Sequence, residues 1–449
     1  MSSELKPYAR YKDSGVEWLG EVPEHWGVKR MRFVCSLNPS PSEVAHFDGE
    51  TVVTFVPMEA VGEDGSLDTT QTQSKARVEN GFTYFANGDV AFAKITPSFE
   101  NGKGTRFESL RPFFGFGTTE LTVLRPLSSV DSKYLLYLTF SAPFRNIGEF
   151  WMYGAGGQKR VPDEFVRNFT VGFPPLPEQR AIADHLDAET GRIDTLISEQ
   201  RELIELLKEK RQALISHCVT RGLDPDVPMK DSGVEWLGEV PEHWNMIPAG
   251  RVFREAREPG DDSLPVLTVS IHDGVSDSEY RPDRHERKVA RMEDRSKYLR
   301  VRPGDLVYNM MRAWQGGLGA VKVDGLVSPA YVVARPTRRI VTRFTEYLLR
   351  TPGGIEQLRV RSKGVTDFRL RLYWDEFRTI QVVLPPLPEQ HAIADYLDAE
   401  TARIDALITE AEQTITLMQE HRSALISACV TGKVRVPGVA DPAEEEQTA

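Results

Sequence analysis

The chain has 449 residues, 27% of them charged, a formal net charge of −11 and three cysteines. This length exceeds what one hydrophobic core usually organises, so we expect more than one domain. The cysteines, Cys35, Cys218 and Cys429, are odd in number and widely spaced, which gives no support to a disulfide framework or a zinc cluster and indicates a reducing compartment.

Two repeats define the organisation of the chain. KDSGVEWLGEVPEHW occurs without change at residues 12–26 and 230–244. PPLPEQRAIADHLDAETGRIDTLI, residues 174–197, returns at residues 385–408 with four substitutions. The segments between them, 27–173 and 245–384, share almost no sequence. The pattern predicts a tandem duplication in which one frame carries two different inserts.

Each insert contains comparable elements. A Gly-Asp turn starts a strand-like core at residues 88–94 and again at 304–310. A glycine-rich polar loop follows, at 96–104 and 312–319, and offers donors suited to DNA. A surface hairpin without a ligand is the alternative for one such loop, but matching placement in both inserts favours binding. The candidate DNA-binding residues of these strands and loops are Lys94, Thr96, Asn101, Lys103, Arg312 and Gln315.

The later part of each insert is also matched. Helical segments are predicted at about 132–147 and 343–359, followed by the polar turns 153–161 and 360–368. Both inserts then carry a DEF tripeptide, at 163–165 and 375–377, before an apolar strand. The cations of the turns could neutralise phosphates or be solvated charges; they are Lys159, Arg160, Arg361 and Lys363. We therefore predict one α+β fold for both inserts.

The PPLPEQ segments predict rigid entries to two long helices with a seven-residue apolar repeat. About 37 residues would give a rod of about 55 Å. Each helix could pack on its own domain, but the narrow seam and charged flanks favour an antiparallel pair holding the inserts apart. The predicted coiled-coil residues are Leu186, Ile193, Ile197, Ile204, Leu207, Leu214, Leu397, Ile404, Ile408, Ile415, Met418 and Leu425.

Charge is distributed unevenly. Residues 245–384 hold 25 Lys and Arg against 18 Asp and Glu, whereas residues 27–173 hold 15 against 16. The second insert is thus a plausible duplex binder, and the first is plausible if its cations cluster. The polar amino terminus and the lack of a long apolar run predict a cytoplasmic protein without a membrane segment.

No catalytic, metal or cofactor site is predicted. GAGGQK at 154–159 lacks the spacing of a P-loop, and residues 282–288 place their acidic groups too close together for a nuclease metal site. His25 and His243 stand beside tryptophans, where packing is the commoner role. Neither an Asn-Pro-Pro-Tyr tetrapeptide nor a glycine-rich fingerprint for a methyl donor is present. We expect any chemistry to come from partner proteins.

Together, the two LPEQ helix entries, the VEWLGEVPEHW repeats and the divergent inserts resemble the specificity (S) subunit of Type I restriction-modification systems. The resemblance implies two target recognition domains that read the halves of an asymmetric, gapped double-stranded DNA target. It also implies that the helices set the gap and dock two methyltransferase (M) subunits, to which restriction and translocase (R) subunits can be added. No cofactor is implied for this chain.

The resulting domain prediction has six parts. They are an N-terminal frame segment at 1–26, recognition domain 1 at 27–173, the first helix and linker at 174–244, recognition domain 2 at 245–384, the second helix at 385–432, and an acidic disordered tail at 433–449. The alternative function is a coiled-coil adaptor that binds proteins only. Divergent inserts favour recognition of an asymmetric sequence.

Overall fold

The computed structural model describes residues 5–261, 263–279, 295–337, 340–364 and 370–440. Its contacts divide the chain into two compact units. Unit 1 comprises residues 1–201 and 412–449 and contains the first insert; unit 2 comprises residues 202–411 and contains the second. Both units combine strands and helices, so the predicted α+β class is confirmed. The acidic and basic segment at 282–288 lies outside the described residues.

Unit 1 is built around two four-stranded sheets, ordered β4-β11-β8-β9 and β6-β5-β10-β7. The first is antiparallel, and the second contains one parallel pair, β10 with β5. The strands of the unit are β1 (Tyr11–Asp13), β2 (Glu21–Pro23), β3 (Gly27–Arg30), β4 (Cys35–Leu37), β5 (Val52–Val56), β6 (Thr72–Ser74), β7 (Thr83–Ala86), β8 (Val90–Ala93), β9 (Gly104–Arg106), β10 (Phe114–Gly117), β11 (Leu121–Pro126), β12 (Tyr153–Ala155), β13 (Gln158–Arg160) and β14 (Thr170–Phe173).

The helices of the first insert are α1 (Lys75–Val78), α2 (Ser132–Phe140), α3 (Ala142–Trp151) and α4 (Asp163–Asn168). The single helical segment predicted at 132–147 is therefore wrong. Ser141 has an extended backbone, with ψ 142°, and separates α2 from α3. Pro143 explains the break, because a proline ring clashes with the carbonyl four residues before it and cannot continue the preceding helix.

Unit 2 repeats the first of these sheets with the order β18-β25-β22-β23. Its strands are β15 (Met229–Asp231), β16 (Glu239–Pro241), β17 (Asn245–Pro248), β18 (Phe253–Ala256), β19 (Val269–Ser270), β20 (Gly274–Val275), β21 (Leu299–Val301), β22 (Leu306–Asn309), β23 (Leu318–Ala320), β24 (Gly325–Val327), β25 (Tyr331–Pro336) and β26 (Gln381–Leu384). Its helices are α6 (Thr342–Leu349), α7 (Pro352–Arg361) and α8 (Trp374–Phe377). The helix predicted at 343–359 is again divided, here before Pro352.

A buried ion pair explains the two Gly-Asp turns. Asp89 accepts hydrogen bonds from the Arg125 guanidinium at 2.7 Å, and Asp305 accepts equivalent bonds from Arg335 at 2.9 and 3.0 Å. Each aspartate also accepts a backbone N–H within its own turn. Because a buried carboxylate is costly without such partners, the pair fixes the start of β8 and of β22. The two inserts thus share a structural framework although their sequences are almost unrelated.

Two long helices complete the units: α5 (Leu176–Arg221) and α9 (Leu387–Val430), of 46 and 44 residues. At about 1.5 Å per residue they are about 69 and 66 Å long, so the predicted length of about 55 Å was too short. Each helix carries its proline at the second helical position, where the missing N–H costs nothing. The chain leaves each helix through a glycine of positive φ, Gly222 or Gly432.

The helices run antiparallel within each unit. In unit 1 the Arg422 guanidinium of α9 lies 3.0 Å from the Asp194 carboxylate of α5. In unit 2 the Arg211 guanidinium of α5 lies 2.9 Å from Asp405 of α9. Arg211 and Arg422 occupy equivalent positions of the repeat, as do Asp194 and Asp405. The two ion pairs are therefore equivalent, with the helices exchanged. The predicted coiled-coil residues that are fully buried are Leu186, Ile193, Ile197, Ile204, Leu397 and Ile404, and those that are half-buried are Leu207, Leu214, Ile408, Ile415, Met418 and Leu425.

The two repeated motifs contact each other. Glu178, at the start of α5, accepts hydrogen bonds from Trp26 Nε1 at 2.9 Å and Tyr8 Oη at 2.6 Å, and lies 2.8 Å from His25 Nε2. Glu389 accepts a hydrogen bond from Trp244 Nε1 at 3.0 Å and lies 2.9 Å from His243 Nε2. The histidines therefore bind a carboxylate, which the prediction of a packing role missed.

The segment after α9 is ordered as far as the structure describes it. Lys433 Nζ donates to the carbonyls of Leu19 and Glu21, and the Arg435 amide donates to Lys6 at 2.7 Å. Val436 is fully buried. The prediction of disorder from residue 433 is thus wrong for 433–440, because apolar and basic side chains there pack on unit 1. Residues 441–449 lie outside the described residues.

Candidate nucleic-acid interface

The turn 153–161 of the first insert forms a β-hairpin of β12 and β13. Gly156 and Gly157 connect the strands with φ values of 64° and 80°, a conformation that L side chains rarely adopt. Every residue from Tyr153 to Lys159 is exposed. The hairpin therefore presents both backbone and side chains to an incoming ligand.

The glycine-rich loop of the first insert meets this hairpin at its start. Thr96 donates from its backbone N–H and its Oγ1 to the Lys159 carbonyl, at 3.0 and 3.3 Å. Ile95 forms a β-bridge with Arg160. The structure therefore brings Lys94, Thr96, Lys159 and Arg160 together, although more than 60 residues separate the loop from the hairpin.

The cations of this cluster differ in how strongly they are already engaged. Arg160 makes two hydrogen bonds with the Glu120 carboxylate, at 2.8 and 2.9 Å, and this guanidinium lowers the pKa of Glu120. Among the described residues, the Lys159 ammonium has no ion-pair partner. Lys159 is consequently better placed than Arg160 to bind a phosphate, because no carboxylate must be displaced first.

Asn101 and Lys103 lie on a different side of the same loop. They line a cleft of about 830 Å³ together with residues of α5 and α9 that belong to unit 1. Lys103 Nζ donates to the Met58 carbonyl at 3.1 Å. The buried Arg145 guanidinium holds the loop by donating to the carbonyls of Phe99 and Gly102, and burial lowers its pKa to about 9. The six predicted residues of this insert thus form two groups.

The loop of the second insert is a compact turn. Residues Ala313–Gln315 form a 3-10 helix that ends at Gly316, with φ 87°. The Arg312 carbonyl accepts the N–H groups of Gln315 and Gly317, so the backbone is internally satisfied. Both Arg312 and Gln315 are exposed. Their side chains remain available for contacts outside the protein.

The cations of the second turn occupy the end of α7. Arg361, the last residue of the helix, donates to Gln357 and to Thr379 Oγ1. Lys363 forms an ion pair with Glu376 of the DEF tripeptide, which raises the pKa of the lysine. The Leu372 amide donates to the Met310 carbonyl at 2.9 Å and joins this region to the loop. The rest of the turn, 365–368, lies outside the described residues.

The described part of the chain holds no group of three or more His, Cys, Asp or Glu side chains placed to bind a metal ion. No helix there is long and apolar enough to cross a membrane.

Comparison with known proteins shows what part of the chain is similar to. Residues 23–206 match the Type I restriction modification DNA specificity domain. The Type I restriction enzyme EcoAI specificity subunit of Escherichia coli is 39% identical over 230 residues, which are 51% of this chain and 37% of that protein. The matched region therefore spans little more than a third of this relative's length.

Solved structures agree on the fold. An HsdS subunit from Thermoanaerobacter tengcongensis, 18% identical, has a TM-score of 0.55 and covers 92% of this chain and 98% of its own. A chain from a study of assembly and conformational transition of the type I R-M system, also 18% identical, has a TM-score of 0.68 over 91% and 98%. The predicted resemblance is confirmed, and nothing in these comparisons supports the protein-only adaptor.

Proposed function

We propose that this chain, a member of the Type I restriction-modification specificity family, is the DNA sequence-recognition subunit of such a system. Each unit would read one half of an asymmetric, gapped target in double-stranded DNA. The observation that carries the proposal is the matched sheet β4-β11-β8-β9 and β18-β25-β22-β23, which presents equivalent loops with different side chains. A constant scaffold with different reading groups suits a target with unlike halves.

The residues proposed for contact have distinct roles. Lys94, Thr96 and Lys159 in unit 1 form one surface, where the lysines would bind phosphates and fix the register. Arg160 in unit 1, and Arg361 and Lys363 in unit 2, would bind phosphates after releasing the side chains that they contact within the protein. Asn101 and Lys103 have weaker support because they face the cleft instead.

Base recognition in unit 2 is assigned to two side chains of the loop. Arg312 and Gln315 are exposed and have the donor patterns that read guanine and adenine edges in the major groove. Because their backbone groups are satisfied within the turn, the loop backbone is held in position without contacts from DNA. The insert of this unit, residues 245–384, also carries the excess of basic residues found in the sequence.

Catalysis would belong to partners. We propose that the chain binds two methyltransferase subunits and, through the assembled complex, restriction and translocase subunits, in the cytoplasm where DNA is accessible. In this proposal residues 1–26 are the N-terminal frame segment, 27–173 and 245–384 are the recognition domains, 174–244 is the first helix with its linker, 385–432 is the second helix, and 433–449 is the acidic tail. The paired helices α5 and α9 would set the unread gap.

Selection from random duplexes tests the proposal directly. The chain, assembled with its methyltransferase subunits, is mixed with a pool of random duplex DNA, and bound molecules are sequenced. We expect enrichment of two unlike short sequences at a fixed separation, and Lys159→Ala should weaken binding to all duplexes with a shallower salt dependence. A complex that retains no sequence preference would overturn the proposal.

A further inference from the structure

Three large aromatic side chains project from one corner of unit 1. Phe150 and Trp151 end α3, and Tyr153 begins β12; they are 88%, 50% and 70% exposed. Large aromatic residues are normally buried, and a contiguous exposed group marks a binding surface. The intervening Met152 is buried and anchors the backbone between them. The exposure is therefore a property of a firmly attached segment.

The aromatic group, Phe150, Trp151 and Tyr153, is continuous with the proposed phosphate-binding surface. Tyr153 pairs with Arg160 across the hairpin, and the next pair joins Gly154 to Lys159. The Trp151 ring lies 6.4 Å from the Phe165 ring of the DEF tripeptide, which supports it from behind. Aromatic rings beside a cation such as Lys159 are the combination that binds nucleobases and their phosphates together.

Unit 2 has the same local architecture with different chemistry. Helix α7, like α3, has ten residues, follows a Thr or Ser N-cap with a proline in its first turn, and ends before a buried residue, Ser362. The positions equivalent to the aromatic group hold Val360, Arg361 and Lys363. Val360 is 64% exposed. The same three outward positions therefore hold rings in one unit and mainly cations in the other.

We propose that the aromatic group stacks on nucleobases that become unstacked in the half-target read by unit 1, whereas unit 2 holds its half mainly by phosphate neutralisation. This inference rests on the proposed function. It accounts for the charge contrast between the inserts, since 15 basic residues against 16 acidic ones give the first insert little net attraction for DNA. Stacking on bases supplies binding energy that does not depend on net charge.

Permanganate oxidation of thymines, which reports unstacked bases, tests the inference on a duplex carrying the selected target. The full chain with its methyltransferase subunits is compared with the triple variant Phe150→Ala/Trp151→Ala/Tyr153→Ala. We expect thymines of the first half to become reactive with the unchanged protein, and the variant to lose that reactivity and bind at least tenfold more weakly. Val360→Ala, the equivalent position in unit 2, is the matched control and should change neither.

The variant Phe150→Ala/Tyr153→Ala retains Trp151 and should give an intermediate loss, which guards against a folding defect in the triple variant. Unstacking caused by the methyltransferase itself would appear in both halves and survive the substitutions, a result that would overturn the inference. Loss of methyltransferase assembly in the variants, with first-half reactivity unchanged, would instead assign the aromatic group to a protein interface. Failure of the unchanged protein to select any sequence would refute the proposed function.

Discussion

The Arg422 guanidinium lies 3.0 Å from the Asp194 carboxylate and links the last part of α9 to the first part of α5 within unit 1. Arg211 and Asp405 form the corresponding pair in unit 2. Because the helices exchange roles between the two pairs, the duplication in the sequence is expressed as an antiparallel pairing repeated in each unit. Both arginines stand at core positions of the predicted seven-residue repeat, where an apolar residue is usual.

The first prediction concerns the strength of this ion pair. A double-mutant cycle with Arg422→Gln and Asp194→Asn should give a coupling free energy of about 1 kcal/mol, because Arg422 is mostly shielded from solvent. The cycle at Arg211 and Asp405 should give roughly 0.3 kcal/mol because that pair is more exposed. Denaturant unfolding measures both. Zero coupling at Arg422 and Asp194 would contradict the pairing.

A second prediction compares the carboxylates that hold the repeated motifs. Glu178→Gln should destabilise the protein by about 2 kcal/mol, since it disrupts hydrogen bonds from Trp26 and Tyr8 at a buried site. Glu389→Gln should cost about 1 kcal/mol, because Glu389 lacks the tyrosine and is more exposed. Thermal unfolding followed by tryptophan fluorescence provides the comparison. Equal or reversed losses would refute this ranking.

A third prediction uses the three thiols. Burial raises the pKa of Cys35 and Cys429 to about 12 and that of Cys218 to about 11. Since only the thiolate reacts, alkylation by iodoacetamide at pH 8 should be negligible in the folded protein, should rise with pH, and should reach all three thiols in guanidinium. Intact mass gives the count. Rapid labelling of the folded protein at pH 8 would show that the thiols are accessible.

A fourth prediction concerns base recognition in unit 2. Arg312→Ala and Gln315→Ala should each relax sequence preference in one half-target and cost roughly 1–3 kcal/mol of discrimination there. Selection from random duplexes gives the preference at every position. The neighbouring Met311→Ala, which changes an exposed apolar side chain, serves as the control. Equal relaxation of both halves would be inconsistent with local reading by this loop.

The fifth prediction tests the role of the helices in setting the gap. Seven residues added after Ile204 in α5 and after Ile415 in α9 preserve the heptad in both helices. The insertion lengthens each by about 10 Å. The gap should lengthen by about 3 base pairs, while both half-sequences stay the same. The same seven residues added after Ala449 should leave the gap unchanged, and an unchanged gap in the helix variant would refute the idea.

The sequence predicted those features that depend on local pattern. Duplication, the heptad seam and the strands after Gly88 and Gly304 all follow from spacing and turn chemistry, and the strands are observed at Val90–Ala93 and Leu306–Asn309. Helix length was underestimated because the helices begin within the PPLPEQ segments, at Leu176 and Leu387, and not after them. Local pattern therefore locates elements better than it locates their ends.

Features that depend on distant residues could not be predicted. Trp26 and Glu178 are separated by 152 positions, and nothing in either motif alone indicates that they bind each other. Thr96 and Lys159 are 63 positions apart and also meet only in the folded chain, beside the β-bridge between Ile95 and Arg160. One signal was available for the aromatic group: three large aromatics in the four residues from Phe150 to Tyr153, which directly precede a glycine-rich turn.

Mapping of modified bases tests the central claim most directly. The chain is expressed with its methyltransferase subunits in a cell that lacks such systems, and modified positions are mapped across the genome. Our account predicts one gapped motif with two unlike halves, modified only when this chain is present. A stable complex that leaves the genome unmodified, or modifies a single uninterrupted motif, would contradict it.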